Sequence, residues 1–410
     1  MAEQLLSGIK VLDLTWHIAG PSCTKLLADY GADVLKVERP GVGDPSRSTP
    51  PFLNDEFHLE KSILFHHNNL NKRAITLDLK SEVGKGVIKR LVADADILVE
   101  NFSPGVMDRL GLGPDVLEKV NPRLVMVSIS NYGSTGPYRD FKASNLILDG
   151  MAKDQYSNGI DGREPVMMVA RDGNVYMCGY MAAIATLSAY WHASEKGISQ
   201  WLDLSMQEML TCDTNCVTIY MVNWAMNGRI TPRRDPRVTV STILPGGVQV
   251  CSDGFVDLST AWDRFTALAR SRPELAELKA FLDTLQYPRD AYNFDNKPMV
   301  DAHWIPWCLD HTKQEIMDAA QKVGLFCTAI KTPKEALDDP QLASRNYWVK
   351  ADHPVVGTQT HCGPPIDVYE APWAITRPVP LLGQHNEEVY CGQLGYSRED
   401  LATWRGQGII

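Results

Sequence analysis

The sequence predicts an α/β protein in which a mostly parallel sheet is covered by helices on both faces. Short apolar runs alternate with amphipathic segments through the first half of the chain. This alternation ends after Asn227, where a region rich in proline and arginine begins. Apolar runs without a polar face are typical of strands buried on both sides, and the segments between them supply the crossovers that parallel strands need.

The predicted elements follow one another in βα order. The strands of the sheet are predicted at Ile9–Leu14, Val34–Val37, Ile75–Leu79, Ile97–Glu100 and Leu124–Ile129. The helices of this half are predicted at Pro21–Tyr30, Ser81–Val92, Gly179–Ser194 and Leu204–Met226. Within Ser81–Val92 the apolar residues recur at helical spacing, which indicates that one face of this helix packs on the sheet.

A smaller α+β domain is predicted over residues 227–339. Thr231–Arg237 is interpreted as a connector, and Val248–Leu258 as a hairpin. The helices of this domain are predicted at Trp262–Ala269, Pro273–Leu285 and Lys313–Lys322. After Asn346 the chain has strand-like pieces, followed by a predicted helix near Glu387–Leu394.

The composition disfavours several classes of protein and of binding partner. A formal net charge of −10 over 410 residues disfavours a broad surface for nucleic acid or anionic membranes. Nine cysteines without a CxxC pair favour reduced thiols and a cytoplasmic location. Met1–Ile9 has no apolar core of the kind found in signal peptides. Val175–Ala193 runs nineteen residues without a charge, and we interpret it as a buried helix, not a membrane span.

Basic, amide and glycine groups border several of the predicted strands. Asn71–Arg73 precede the third strand, and Asn101–Gly105 follow the fourth. His17–Pro21 connect the first strand to a helix, and Gly20 allows a ligand to approach the backbone there. Because loops at the carboxyl ends of parallel strands form the ligand crevice of an α/β fold, these groups predict a site for a charged ligand.

With these motifs the chain resembles the family III CoA-transferases of the CaiB/BaiF type, from Leu6 to about Leu394. The resemblance implies a large Rossmann-like domain built from both chain ends, residues 1–226 and 340–410, and two subunits interlocked like linked rings. It implies coenzyme A or acyl-CoA and a carboxylic acid as substrates, and a homologous subunit as partner. We expect no metal, no nucleic acid and no membrane partner.

The resemblance assigns residues to CoA. These are Ile18, Ala19, Arg39, Leu70, Asn71, Lys72, Arg73, Asn101, Phe102, Val106, Arg109 and Lys142. An arginine fork binds phosphate bidentately, whereas a lysine acts as a mobile point charge. Gly246 and Gly247 either match a glycine-rich lid that covers the active site of several family members or simply lead into the predicted hairpin.

The family transfers CoA through an aspartate, since a carboxylate can form the mixed anhydrides and the enzyme–CoA thioester that the reaction requires. That aspartate lies four residues before a glycine that opens a long helix. Here four residues before Gly179 stands Val175, and typical spacing from Pro165 leads to Asn174. The nearest carboxylate is Asp172, which needs a local three-residue shift to be the nucleophile.

Three interpretations remain open. Asp172 is the nucleophile of a self-sufficient homodimer; or the chain is a subunit without the nucleophile; or the site binds acyl-CoA for other chemistry. The second is our working hypothesis, because the chain resembles the nucleophile-lacking subunit of succinyl-CoA:benzylsuccinate CoA-transferase. A further alternative is a non-catalytic structural or regulatory subunit that binds CoA. Racemase chemistry is disfavoured, since Ser144 and Asn145 stand where related racemases have their acid–base pair.

Overall fold

The structure is a computed structural model that describes residues 3–152, 154–159, 162–166, 172–212, 221–230, 242–363, 365–371 and 373–410. It divides into two compact units. The first comprises Met1–Gln155, Met167–Met226 and Ala343–Ile410, and the second comprises Tyr156–Val166 and Asn227–Leu342. The predicted connector Thr231–Arg237 lies outside the described residues.

The first unit contains a six-stranded parallel sheet in the order β3-β2-β1-β4-β5-β6. Its strands are β1 (Lys10–Asp13), β2 (Asp33–Glu38), β3 (Arg73–Thr76), β4 (Ile97–Glu100), β5 (Val125–Ser130) and β6 (Gln200–Ser205). This order is that of a dinucleotide-binding Rossmann sheet, and it reverses between β1 and β4. The predicted α/β class is confirmed.

The helices of this part of the chain lie between and after the strands. They are α1 (Ala19–Asp29), α2 (Ile63–Asn68), α3 (Glu82–Val92), α4 (Val106–Arg109), α5 (Pro114–Val120), α6 (Asn145–Met151), α7 (Asp154–Ser157), α8 (Gly173–Lys196), α9 (Met206–Thr211) and α10 (Asn223–Asn227). The prediction of one helix over Leu204–Met226 was wrong at its start, because Leu204 belongs to β6. Within the described part of the chain, no helix combines the length and the apolar character that a membrane crossing requires.

Successive residues of each strand belong alternately to two hydrophobic cores, one on each face of the sheet. Val11, Val99 and Val127 pack in one cluster with residues of α1 and α8. Their neighbours Leu12 and Leu98 pack in the other cluster, together with residues of α3 and the C-terminal segment. Because side chains of a strand alternate between faces, burial on both faces explains why these strands are continuous apolar runs.

The second unit is α+β. Its strands β7 (Gly247–Cys251), β8 (Gly254–Ser259) and β9 (Phe326–Ala329) form an antiparallel sheet, in which β7 and β8 are the predicted hairpin. Its helices are α11 (Trp262–Ser271), α12 (Ala276–Leu282), α13 (Lys297–Asp310), α14 (Lys313–Lys322) and α15 (Pro333–Leu337). Phe265 and Trp304 are fully buried at the centre of its core.

The C-terminal segment returns to the first unit. After α16 (Pro340–Ser344), the strands β10 (Trp348–His353) and β11 (Gly357–Cys362) form a hairpin, followed by a π-helix at Glu388–Gln393 and α17 (Arg398–Gly406). This segment covers the edge strand β3. The backbone N–H groups of Ala74 and Thr76 donate to His385 Nδ1 at 3.1 Å and Asn386 Oδ1 at 2.9 Å, and the Tyr390 hydroxyl donates to the Thr76 carbonyl. The outer hydrogen-bonding groups of the edge strand are thereby satisfied.

Candidate active site

A cavity of about 570 Å³ opens at the carboxyl edge of the six-stranded sheet. Its walls are the loops after β1, β4 and β5 and the first residues of α1, α8 and α9, so it lies where the strand order reverses. The residues named from the sequence that line it are Ile18, Ala19, Asn101, Phe102, Arg109, Lys142, Asn145, Asp172 and Val175. Segments that are distant in sequence therefore meet at one site.

Asn101 organises the rim of this cavity. Its side-chain oxygen accepts from the Trp16 backbone N–H at 2.7 Å, and its amide group donates to the Trp16 carbonyl at 2.8 Å. The Trp16 ring meets the Phe102 ring edge-on at 5.1 Å, and the exposed Arg39 guanidinium lies 4.6 Å from the Trp16 ring centroid. Asn101 thus uses its polar atoms to hold the loop, while Arg39 and the two rings present a cationic, aromatic surface.

A buried carboxyl group lies directly beneath this loop. Glu100 accepts from the Phe102 backbone N–H at 2.8 Å and is hydrogen-bonded to Ser128. Burial raises the pKa of Glu100 to about 7, and the nearby carboxylates of Asp108 and Asp203 act in the same direction. The position of Phe102 therefore depends on a group that titrates near neutral pH.

The beginning of α8 supplies the inner wall. The helix begins at Gly173, so Asp172 is its N-cap residue, and Asp172 and Val175 both line the cavity. They are three residues apart and therefore share one face of the helix. Asp172 accepts a hydrogen bond from the Asn145 amide. Asn174 is buried away from the cavity, where its amide donates to Asp149 at 2.5 Å.

Gly179 fixes the position of α8. A Cβ atom at this residue would lie 2.0 Å from Ser22 Oγ and 2.6 Å from the Ala19 carbonyl oxygen. Only glycine allows the backbones of α1 and α8 to approach so closely. Because Ala19 also lines the cavity, this contact fixes Val175, one turn earlier in α8, relative to the cavity wall.

Arg139 is a cavity residue that the sequence analysis missed. It follows β5, lines the cavity together with Arg109, and is exposed. Its guanidinium Nη2 and the Nη1 of Arg109 both lie beside Gly105. Its place in a loop after a parallel strand was a usable signal, since all such loops meet at the carboxyl edge.

Comparison with known proteins assigns this chain to a family. A family model described as CoA-transferase family III matches residues 6–386. The chain belongs to this family. The succinyl-CoA–L-malate CoA-transferase beta subunit of Chloroflexus aurantiacus is 32% identical over 99% of this chain and 98% of its own length. The formyl-CoA:oxalate CoA-transferase of Streptomyces coelicolor is 31% identical over the full length of both chains.

Solved structures agree with this membership. A CaiB/BaiF family protein from Brucella suis superposes with a TM-score of 0.81 at 26% identity, covering 95% of this chain and 99% of that one. Rv3272 from Mycobacterium tuberculosis gives a TM-score of 0.75 at 25% identity over 94% of this chain and 99% of that one. The protein is thus a family III CoA-transferase, an enzyme class whose substrates are CoA thioesters and carboxylic acids.

Two cations that the resemblance assigned to CoA lie away from the cavity of this CoA-transferase. Lys72 is fully buried, and its ammonium donates to Asp13 at 3.0 Å; burial lowers the pKa of Lys72 to about 8. Arg73 pairs with Asp33, the first residue of β2, at 2.7 Å, and with Glu388 at 2.9 Å. Arg73 therefore faces the amino edge of the sheet. Contact with CoA in the cavity would require the ion pairs of Lys72 and of Arg73 to break.

The remaining assigned residues are placed as follows. Leu70 and Asn71 are buried, and the Asn71 side chain bonds Asp29 and the Thr376 backbone. Val106 begins α4 outside the cavity lining. Gly246 and Gly247 are buried in the second unit at the start of β7, and their role as a lid stays a prediction. The described residues contain no group of three or more metal-ligating side chains arranged for a metal ion.

Proposed function

We propose that this chain takes part in moving CoA between a CoA thioester such as succinyl-CoA and a carboxylic acid, as the subunit that lacks the nucleophilic aspartate in a heteromeric enzyme. The observation that carries the proposal is Val175. The helix register, anchored by Gly179, puts this apolar residue on the cavity wall, and counting back from Gly179 by the family's spacing leads to the same residue. One similar protein is itself named a beta subunit.

The cavity residues suit the binding part of this task. Arg109, Arg139 and Lys142 provide positive charge for the anionic groups of CoA, and arginine is the residue best suited to bidentate phosphate contacts. Arg39 and the Trp16–Phe102 pair provide a surface for a planar base. The homologous partner would supply the aspartate. Its carboxylate attacks the thioester carbonyl, which forms an acyl–aspartyl anhydride and releases CoA thiolate. The thiolate then attacks the aspartyl carbonyl, which forms the enzyme–CoA thioester and releases the donor acid, and the acceptor carboxylate takes the CoA through a second anhydride. An interlocked pair of homologous subunits is part of this proposal.

A second candidate function is favoured by Asp172. This carboxylate lines the same cavity one helical turn before Val175, and the amide of Asn145 holds it. In this alternative Asp172 forms the acyl anhydride itself, and the chain is a self-sufficient homodimeric CoA-transferase.

Intact-protein mass spectrometry separates the two. The purified chain is incubated with succinyl-CoA, with hydroxylamine as a trap for the activated carboxyl group, and Asp172→Asn is treated in parallel. We expect no covalent CoA or hydroxamate adduct on either protein, with CoA binding retained. An adduct on the wild type that is absent from Asp172→Asn would overturn the proposal in favour of the second candidate.

A reconstitution assay tests participation in catalysis. The chain is mixed with a homologous subunit that carries the aspartate, and turnover is compared for wild type and Lys142→Ala. We expect the substitution to reduce turnover by about tenfold, because Lys142 lies in the CoA cavity. Unchanged turnover would instead favour a structural or regulatory subunit.

A further inference from the structure

Two guanidinium groups converge on one glycine at the cavity. Gly105 follows β4 and has φ +76°. A Cβ atom built on it would lie 3.1 Å from Arg139 Nη2 and 3.2 Å from Arg109 Nη1. Arg109 ends α4, whereas Arg139 belongs to the loop after β5, so two separate segments bring these groups together.

The two guanidinium groups beside one glycine make this part of the cavity cationic. Like charges repel each other, and a carboxylate that paired with both would reduce the repulsion. Within the part of the chain that the structure describes, neither Arg109 nor Arg139 forms a salt bridge, and their neighbour Asp140 lines the cavity without pairing to them. Both side chains are exposed to the cavity and to solvent. The charge of this pair is thus left for a ligand.

Gly105 leaves the room that such a ligand needs. Its positive φ favours glycine, and any larger residue would place a side chain against both guanidinium groups. Two arginine forks around an open glycine offer several N–H donors to one tetrahedral or planar oxyanion. Lys142 adds a further positive charge within the same cavity.

We infer that Arg109 and Arg139, which both lie beside Gly105, form an oxyanion subsite that receives either a phosphate of CoA or the free carboxylate of a dicarboxylic acyl group. This inference rests on the proposed function, since it names the part of the CoA thioester that the cavity selects. Arg139 is the residue that tests it, because the resemblance assigns Arg109 to CoA but not Arg139.

Calorimetric titration of the full chain with four ligands tests the subsite. The ligands are CoA, 3′-dephospho-CoA, succinyl-CoA and butyryl-CoA, and the proteins are wild type, Arg139→Gln, Arg139→Lys and Arg123→Gln. Arg123 is exposed and absent from the cavity lining, so its substitution is a matched loss of one arginine. Arg139→Lys keeps the charge but removes the fork.

Arg139→Gln is expected to weaken CoA binding by about tenfold or more, with Arg139→Lys between it and the wild type and Arg123→Gln unchanged. If the substitution leaves the affinity for 3′-dephospho-CoA unchanged, the subsite binds the 3′-phosphate of CoA. An equal loss for all four ligands identifies the diphosphate, and a loss confined to succinyl-CoA identifies the acyl carboxylate. Arg139→Gln with all four affinities within twofold of the wild type would overturn the subsite. Failure of the wild type to bind any ligand would instead overturn the proposed function.

Discussion

At the residue scale, the carboxyl group of Glu100, beneath the cavity rim, should make the free energy of unfolding depend on pH. Its pKa in the folded protein is raised from 4.5 to about 7, so between these values the folded state binds more protons than the unfolded state. The free energy of unfolding therefore falls as pH rises from about 4.5 through 7. Glu100→Gln removes this dependence while keeping an acceptor for the Phe102 N–H.

Urea denaturation at pH 5 and pH 8 measures this effect. We expect the stability of the wild type relative to Glu100→Gln to decrease by about 2 kcal/mol between the two pH values. Glu118→Gln, at an exposed carboxylate, is the control. A difference between wild type and Glu100→Gln that does not change with pH would show that Glu100 is not protonated in the folded protein.

Asn101 gives a second prediction at this scale. Asn101→Ala leaves the Trp16 backbone N–H and carbonyl without their partners, which should cost about 1–3 kcal/mol of stability and weaken CoA binding. Asn101→Asp keeps the hydrogen-bond acceptor and loses the donor. Its stability and its CoA affinity should therefore lie between those of the wild type and those of Asn101→Ala. Thermal denaturation and CoA titration measure both effects. Stability and affinity equal to the wild type in Asn101→Ala would contradict the assigned role of this side chain.

At the scale of elements, replacing each of two helical glycines by alanine should change the stability of the protein in opposite directions. A Cβ at Gly179 in α8 would collide with α1, so Gly179→Ala should destabilise the protein by about 3 kcal/mol. A Cβ at Gly86 in α3 would meet no atom within 4 Å, so Gly86→Ala should stabilise it by about 0.5–1 kcal/mol. Chemical denaturation of both variants is the measurement, and the same sign in both would refute the packing argument.

The β10–β11 hairpin and α2 bring several histidines together. The rings of His66 and His353 are 4.7 Å apart, and burial lowers the pKa values of His67, His353 and His361 to about 4. Between pH 4 and the usual value of 6.5 the unfolded chain binds more protons. The free energy of unfolding should therefore fall as pH decreases through this window.

The variant His353→Gln tests the contribution of one ring. The loss of stability between pH 7 and pH 5 should be smaller in His353→Gln than in the wild type, whereas His192→Gln, at an exposed position, should behave as the wild type. Thermal denaturation at the two pH values checks this. An equal loss in His353→Gln would exclude His353 from the acid sensitivity.

How far the sequence predicts the elements depends on their surroundings. Ile97–Glu100 and Lys313–Lys322 have the predicted bounds, because a fully buried strand and a capped helix leave clear patterns. β6 was missed because Gln200–Ser205 is only half buried, so its apolar residues do not form a run. α13 was missed because Pro306 falls in the middle of its sequence, although the helix accommodates this proline in its interior; Pro298 lies in the first turn, where proline is favourable.

At the scale of the whole molecule, the sequence locates the lining of the cavity better where strand ends position it. Ile18 and Asn101 follow strands whose ends the sequence predicts, whereas Asp172 caps a helix that begins at Gly173, well before the predicted start at Gly179. The direction of a long side chain is set by its tertiary partners, so the buried ion pairs of Lys72 and Arg73 were not predictable. The two-domain boundaries and the cytoplasmic location stay predictions.

The proposed heteromer makes a prediction at this scale. Native mass spectrometry of the chain, expressed with a homologous subunit that carries the family's aspartate, should show a mixed assembly in preference to assemblies of this chain alone. Expression of the chain by itself is the control. A stable homo-oligomer that excludes the second subunit would contradict the proposal.

The covering of β3 by residues near the end of the chain has a consequence for biosynthesis. The edge strand leaves the ribosome more than three hundred residues before His385 and Asn386, which satisfy its outer hydrogen-bonding groups. During that interval a nascent sheet presents an open strand to any neighbouring chain. The segment that covers β3 is therefore synthesised long after the strand itself, and a truncated product lacking this segment has an exposed edge prone to aggregation.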